Sequence, residues 1–237
     1  SSSRHEDATS IIIDEGRDLV KEGHIELLGL LESIDTKSVN AEGACRIDRL
    51  RGEVLALLGR FDEAEEAFNQ ARPPAEAAGL KDVIADILSN LADIALKRGD
   101  SESSLGMHRK ALELFIELKD AVGAARSYNN MGYILRRSGD NAKALDAYSE
   151  VESILSEDKS KSLIPAQIVL ARALLDLGHQ DRARDHALSA YEQSENSDDT
   201  ILHARARAVL GRYYAKTGDS DLALHHSVSY THLTLPT

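Results

Sequence analysis

The residue types that most often carry chemistry are few in this sequence, and none has the setting that a reaction needs. Cys45 is the single cysteine, and it lacks the helix-start setting that would activate a thiolate. His179 and His186 are separated by a turn without a third ligand at a suitable spacing, so we expect a solvated pair and not a metal site. Carboxylate pairs such as Glu63 and Glu66 are predicted on an exposed helix face. Neither a phosphate-binding loop nor a G-x-S-x-G elbow occurs. The sequence therefore predicts no catalytic residue, no metal site and no cofactor, and we expect a protein that is not an enzyme.

Charge and composition narrow the classes of partner. The net charge is -12 and the pI is near 5.2, which argues against nucleic acid and anionic membranes as partners. One cysteine excludes an intrachain disulfide and is compatible with a reducing compartment. No apolar run approaches the roughly 18 residues of a membrane-spanning helix. We therefore expect a cytoplasmic protein with no nucleic-acid or membrane partner.

The chain opens SSSRHEDATS without a methionine, which indicates a fragment or a processed form. The oligomeric state is not predicted.

A regular series of glycines organises the chain. Arg98-Gly99-Asp100 spells a cell-adhesion tripeptide, but Gly99 and Asp100 occupy the same slots as Gly139 and Asp140 one period later. The tripeptide is therefore interpreted as part of a turn. The glycines of the series stand 40, 40, 39 and 40 residues apart, at Gly59, Gly99, Gly139, Gly178 and Gly218.

Helical hairpins are predicted around each of these glycines. A small residue stands seven positions before each glycine, and another stands five positions after it. We expect the two small sets to face one another, so that the helices cross without bulky side chains between them. Pro73 and Pro74 fall within one second helix, where we expect them to break it.

The segment from Ala125 to Leu155 shows the pattern most clearly. It contains Tyr-x2-Met-Gly-x2-Leu from Tyr128 and then Ala-x3-Tyr from Ala144 to Tyr148. This pattern resembles the tetratricopeptide repeat. Units of about 40 residues resemble the extended arrays of Pins-like adaptors, kinesin light chains and bacterial or archaeal sensor-regulators. The resemblance implies an all-α fold, an α-α superhelix of five to six repeats, whose first helices line a concave groove that holds a partner peptide or helix.

The repeats divide the chain as follows. We predict one helical-repeat domain over residues 1–227, with units at about 8–36, 41–78, 82–118, 122–156, 161–196 and a truncated 199–227. Residues 228–237, VSYTHLTLPT, lack helical periodicity and resemble a translated sequencing adaptor, so they are left out of the fold prediction.

The resemblance also implies which positions face the groove, namely those 13, 10, 9, 6, 3 and 2 residues before each turn glycine. Ten of these positions are basic and four are acidic, which gives +6 on a chain of -12. Guanidinium groups bind carboxylates in pairs, and an amide can bond an extended backbone. An acidic protein or peptide partner is therefore predicted, with the alternative that several arginines pair with acids of the adjacent helix. The candidate contact residues are Asn90, Asp93, Lys97, Arg126, Asn129, Asn130, Tyr133, Arg136, Arg137, Arg172, Arg205 and Arg212.

Three functions remain open from sequence. The first is a protein-protein interaction scaffold that binds a partner in the groove. The second is the sensory or autoinhibitory segment of a longer signalling protein that carries a kinase, a cyclase or a transcription regulator domain. The third is a chaperone-like protein whose binding weakens steeply with salt.

Overall fold

A computed structural model describes residues 23–158, 160–195 and 199–227, and within them every long element is an α-helix and no strand occurs. This confirms the all-α prediction. The chain forms two compact halves, an N-terminal half up to Asp120 and a C-terminal half from Ala121. Residues 8–22, predicted to begin the first unit, and the adaptor-like tail 228–237 lie outside the described residues.

The helices follow one another as antiparallel hairpins joined by short turns. The N-terminal half contains α1 His24–Ser33, α2 Ala41–Leu57, α3 Phe61–Ala77, α4 Lys81–Lys97 and α5 Ser101–Glu117. The C-terminal half contains α6 Ala121–Arg137, α7 Asn141–Glu157, α8 Ile164–Leu177, α9 Gln180–Glu195, α10 Thr200–Thr217 and α11 Ser220–Ser227. Short 3-10 helices lie at Thr36–Ser38 and Lys161–Leu163.

The predicted glycines form the turns within the hairpins. All five have a positive φ between 77° and 91°, a conformation that side chains other than hydrogen seldom tolerate. The residue after Gly99 then begins the next helix, because the Asp100 carboxylate accepts a hydrogen bond from the Ser103 amide at 3.0 Å. Arg98 bonds Asp62 and Glu65 of α3. The Arg98-Gly99-Asp100 tripeptide is thus part of the fold, which confirms its interpretation as a turn.

Two hairpins are packed differently from the expectation that only small residues meet between the helices. The Phe68 ring of α3 covers Gly52 of α2, and a Cβ at Gly52 would lie 2.7 Å from that ring. Likewise, a Cβ at Gly132 of α6 would lie 2.5 Å from the Tyr148 ring of α7. The expectation was wrong here because glycine leaves room for a buried aromatic ring, which contributes more apolar contact than a second small residue.

The prediction that Pro73 and Pro74 break their helix is also wrong. Helix α3 continues through both prolines to Ala77. The prolines are exposed, whereas Ala71 and Ala75 beside them are fully buried. Because the carbonyls that lose a helical donor, those of residues 69 and 70, belong to exposed residues, water can bond them, and burial of the alanine face keeps the segment helical.

Each half encloses its own apolar core. In the N-terminal half the core includes Ile47, Leu50 and Phe68. In the C-terminal half it includes Tyr148 and Leu170. Among the described residues, no helix is long and apolar enough to cross a membrane. In both halves these cores run through successive hairpins, so each hairpin packs against its neighbours along the chain.

Candidate functional site

In the N-terminal half, the arginines at groove positions pair with acids of the neighbouring first helix. Arg46 of α2 donates to Asp82 of α4 at 2.7 Å and also pairs with Glu42 of its own helix. Arg49 is buried, approaches Asp86 of α4 at 3.6 Å and also bonds Glu53 of its own helix at 2.9 Å. The alternative interpretation, that arginines serve ion pairs between adjacent helices, therefore describes this half.

A cleft of about 220 Å³ lies between α2 and α4, and it is close to neutral. Asn90 and Asp93 line it, and the Asn90 amide donates to the Asp86 carbonyl at 2.9 Å. Behind Asp93, the fully buried His108 ring places Nε2 3.3 Å from Oδ1. The remaining lining residues are Glu53, Ala56, Leu57, Phe61, Ile94 and Lys97.

In the C-terminal half, two of the predicted contact residues hold α6 to α8. Asn129 is only 3% exposed, and its amide donates to the Ala166 carbonyl at 3.0 Å. Arg136 approaches Asp176 of α8 at 3.8 Å. Burial raises the pKa of the Tyr148 hydroxyl, and the neighbouring Arg136 opposes that rise. Both side chains thus have partners within the fold.

The other predicted residues of α6 lie closer to solvent. Tyr133 is 37% exposed, and the guanidinium carbons of Arg136 and Arg137 each lie 5.8 Å from the centre of its ring. This distance is within the range of a cation-π contact. Arg126 is exposed and Asn130 is half-buried on the same helix.

A concave site of the C-terminal half lies between α8 and α10. This cleft of about 290 Å³ combines three arginines with four apolar residues. Arg172 and Arg205 form no ion pair with any described residue. Arg212 approaches Asp176 at 3.7 Å, and its side chain remains 58% exposed. The apolar floor consists of Ile168, Val169, Ala208 and Val209.

The excess positive charge of the groove positions belongs entirely to the C-terminal half. The N-terminal half carries three basic groove residues, Arg46, Arg49 and Lys97, against three acidic ones, Glu53, Asp86 and Asp93. The C-terminal half carries seven basic residues, Arg126, Arg136, Arg137, Arg172, Arg205, Arg212 and Lys216, against the single acid Asp176. Of the seven, Lys216 donates to the Leu175 carbonyl. The α8–α10 cleft therefore has the greater capacity to bind an anionic group.

One polar cluster was not predicted from the sequence. Glu152 of α7 accepts hydrogen bonds from Arg182 and His186 of α9, with His186 Nε2 at 3.0 Å. Burial would raise the pKa of Glu152, but these two donors outweigh burial and lower it. His186 is therefore bonded within the fold and is not part of a solvated pair with His179, as the sequence had suggested. Because His186 and Glu152 are 34 residues apart in the sequence, no local sequence pattern could have predicted their contact.

The environments of the Cys45 thiol and of the potential metal ligands do not favour catalysis or metal binding. Burial, followed by the charge of Asp48, raises the pKa of the Cys45 thiol, which disfavours the reactive thiolate. Within the described ranges, no group of three or more histidine, cysteine, aspartate or glutamate side chains is arranged to hold a metal ion.

The chain is similar in sequence to a human protein and in structure to several solved proteins. Outer dynein arm-docking complex subunit 4 from Homo sapiens is 20% identical over 151 residues, which are 64% of this chain and 22% of that protein. The chain therefore spans about a fifth of that relative. A signal-transduction ATPase with a tetratricopeptide repeat sensor from Pyrococcus horikoshii matches with a TM-score of 0.68 and 16% identity, over 96% of this chain and 36% of that one. A Rap protein complexed with Competence and Sporulation Factor matches with a TM-score of 0.67 and 14% identity, over 92% and 63%.

Two family models, both described as tetratricopeptide repeat, match successive parts of the chain. One covers residues 83–157, and the other covers residues 46–70, 164–188 and 204–226. Together they span more than half of the sequence and include part of every hairpin from α2 to α11. The chain belongs to the tetratricopeptide repeat family.

Proposed function

We propose that this protein is a non-enzymatic interaction module that binds an acidic segment of a partner protein on the first helices of its C-terminal half. The observation that carries the proposal is the α8–α10 cleft. All seven residues that line this cleft stand 13, 10, 9 or 6 positions before a turn glycine, where the repeat family places its groove. Three of the seven are arginines.

Guanidinium groups favour carboxylate ligands in this setting. They can donate two parallel hydrogen bonds to one carboxylate, and an apolar floor strengthens such bonds by excluding water. The chain as a whole is acidic, with a net charge of -12, so we expect an anionic segment to be repelled by most of the surface and attracted to the cleft. Binding should therefore weaken as salt concentration rises.

The known proteins support a peptide or protein as the class of partner. The Rap protein is complexed with Competence and Sporulation Factor, and the resemblance to the repeat family implies a ligand on the first helices. The cytoplasm is the compartment we propose, because a free thiol such as that of Cys45 persists in reducing surroundings.

The predicted residues divide into four groups under this proposal. Arg172, Arg205 and Arg212 contact the ligand directly. An additional contact surface on α6 consists of Tyr133, Arg126, Asn130 and Arg137. A separate surface in the N-terminal half consists of Asn90, Asp93 and Lys97. Asn129 and Arg136 act through the position of α6 relative to α8.

A peptide pool of fixed composition tests the proposal. Each fluorescein-labelled member contains two glutamates and one leucine, at all spacings, in an alanine and glutamine background. We expect the wild-type protein to retain members that the Arg172→Glu/Arg205→Glu double variant does not retain. Arg184→Glu is the matched control, because Arg184 is an exposed arginine of the same half outside the cleft. Equal retention by wild type and double variant would refute the proposal.

A second candidate function is a sensory segment within a longer signalling protein. It is supported by the match to a signal-transduction ATPase of which the chain covers 36%. Sequencing of the complete gene tests this candidate, since an adjoining kinase, cyclase or DNA-binding domain is the expected result.

A further inference from the structure

We infer that the α8–α10 cleft binds a partner α-helix in a heptad register, with two acidic side chains seven residues apart on either side of an apolar side chain. This inference rests on the proposed function, because it specifies the partner segment for the same cleft. It follows from the spacing of the lining residues along α10 and from their chemistry.

The residues of α10 that line the cleft form a heptad pattern. Arg205 and Arg212 are seven residues apart and both line the cleft, which places them on one face of the helix about 10.5 Å apart along its axis. Ala208 and Val209 lie between them at the third and fourth positions and also line the cleft. The ligand therefore meets a positive, an apolar and a second positive group in a line.

Only one regular partner backbone presents three complementary groups at this spacing. In an α-helix, side chains at i, i+3 or i+4, and i+7 share one face, and the outer two are about 10.5 Å apart. A β-strand repeats a face at about 6.7 or 13 Å, which does not match. A polyproline II segment repeats a face at about 9.3 Å, but no side chain lies between on that face to cover the apolar floor.

Helix α8 forms the opposite wall of the same cleft. Arg172 and Ile168 are one helical turn apart on α8 and both line it. Because the volume of about 290 Å³ is too small for a helix about 10 Å wide, the partner helix lies over the opening and inserts its apolar side chain. Arg172 then reaches a carboxylate from the side. Arg205 has no ion pair with a described residue, whereas Arg212 approaches Asp176, so the acid that faces Arg205 should contribute more to affinity.

Three helix-stapled, fluorescein-labelled peptides of equal length test the register. The first carries glutamates seven residues apart around a central leucine. The second moves one glutamate so that the two are five residues apart and point to different faces, and the third replaces both glutamates by glutamine. By fluorescence polarisation, we expect the first peptide to bind at least about tenfold more tightly than the second. This advantage should disappear in Arg205→Glu and persist in Arg184→Glu.

The outcomes separate the inference from the proposed function. If the two glutamate peptides bind equally and the glutamine peptide binds more weakly, the heptad register is overturned while the acidic-ligand proposal stands. If all three peptides bind equally to wild type and to Arg172→Glu/Arg205→Glu, both are overturned. A tighter complex with the first peptide that survives Arg205→Glu also overturns the register.

Discussion

Gly132 and Tyr148 offer a stability prediction that depends on one close contact. A Cβ at Gly132 would lie 2.5 Å from Tyr148 Cε1 and 2.7 Å from Cζ. The ring is 1% exposed, so it cannot turn out of the way into solvent. Overpacking costs about 1 to 3 kcal/mol, and a 2.5 Å approach to a confined ring belongs to the upper part of that range, about 2 to 3 kcal/mol. Alanine gains about 1 kcal/mol over glycine in a helix interior. We therefore expect Gly132→Ala to lower the free energy of unfolding by about 1 to 2 kcal/mol.

Gly106 provides the matched control. It also lies inside a helix, α5, but a Cβ there would meet nothing within 4 Å. Gly106→Ala should raise the free energy of unfolding by about 0.5 to 1 kcal/mol. Urea unfolding followed by far-ultraviolet circular dichroism measures both changes. If Gly132→Ala is as stable as wild type, or if the two variants change in the same direction, the ring-on-glycine packing is wrong.

The α4–α5 hairpin provides a substitution that separates the clash between the Cβ at position 132 and the Tyr148 ring from other effects on stability. Its equivalent positions carry Ala92 and a smaller buried ring, His108. Tyr148→His should therefore cost less in the Gly132→Ala background than in the wild-type background. A double-mutant cycle that shows no coupling between positions 132 and 148 would contradict the proposed contact.

Three further predictions concern other contacts of the fold. Asn129→Ala should reduce the free energy of unfolding by about 1 to 2 kcal/mol, because it leaves the Ala166 carbonyl without its side-chain donor. Pro73→Ala/Pro74→Ala should raise it by about 1 to 3 kcal/mol, because the helical donors return at exposed positions. Glu152→Gln should lower it by about 1 kcal/mol at neutral pH. The pKa of Glu152 is lowered in the folded state. Protonation of this carboxylate should therefore destabilise the wild-type protein as the pH drops below about 4.3, the pKa of an unperturbed glutamate, and the difference from Glu152→Gln should vanish.

Urea unfolding checks these three predictions, with pH varied for the last. Asn69→Ala, at an exposed position of α3, is the control for Asn129→Ala and should change stability by less than about 0.5 kcal/mol. A destabilised double proline variant would show that the prolines stabilise α3 through the unfolded state. A constant difference between wild type and Glu152→Gln at every pH would show that the Glu152 bonds do not depend on its charge.

The sequence predicts the fold because local chemistry repeats with the period of the structure. Gly99 and Gly139 each supply the left-handed residue, and Asp100 and Asp140 each supply the cap that follows. These are short-range effects that do not depend on the neighbouring helices. The failure at Pro73 has the opposite origin, since local propensity is overridden by burial of the helix face beside it.

The candidate site is less accessible to sequence reasoning because it depends on distances between helices. Asn129 and Arg172 both stand at groove positions, yet the first is buried against the Ala166 carbonyl and the second is exposed in a cleft. Likewise, Arg46 pairs with Asp82 of the neighbouring helix while Arg205 has no such partner among the described residues. The spacing of residues along the chain identifies the face of a helix, but not which side chains on that face form contacts within the protein.

A charge-swap titration tests the central claim most directly. Fluorescence polarisation is measured for the peptide with glutamates seven residues apart and for its lysine counterpart, against wild type and Arg172→Glu/Arg205→Glu. Binding at the α8–α10 cleft predicts that the glutamate peptide prefers wild type, that the lysine peptide prefers the double variant, and that both preferences weaken with salt. If both proteins bind both peptides with the same affinity, an acidic partner does not bind this cleft.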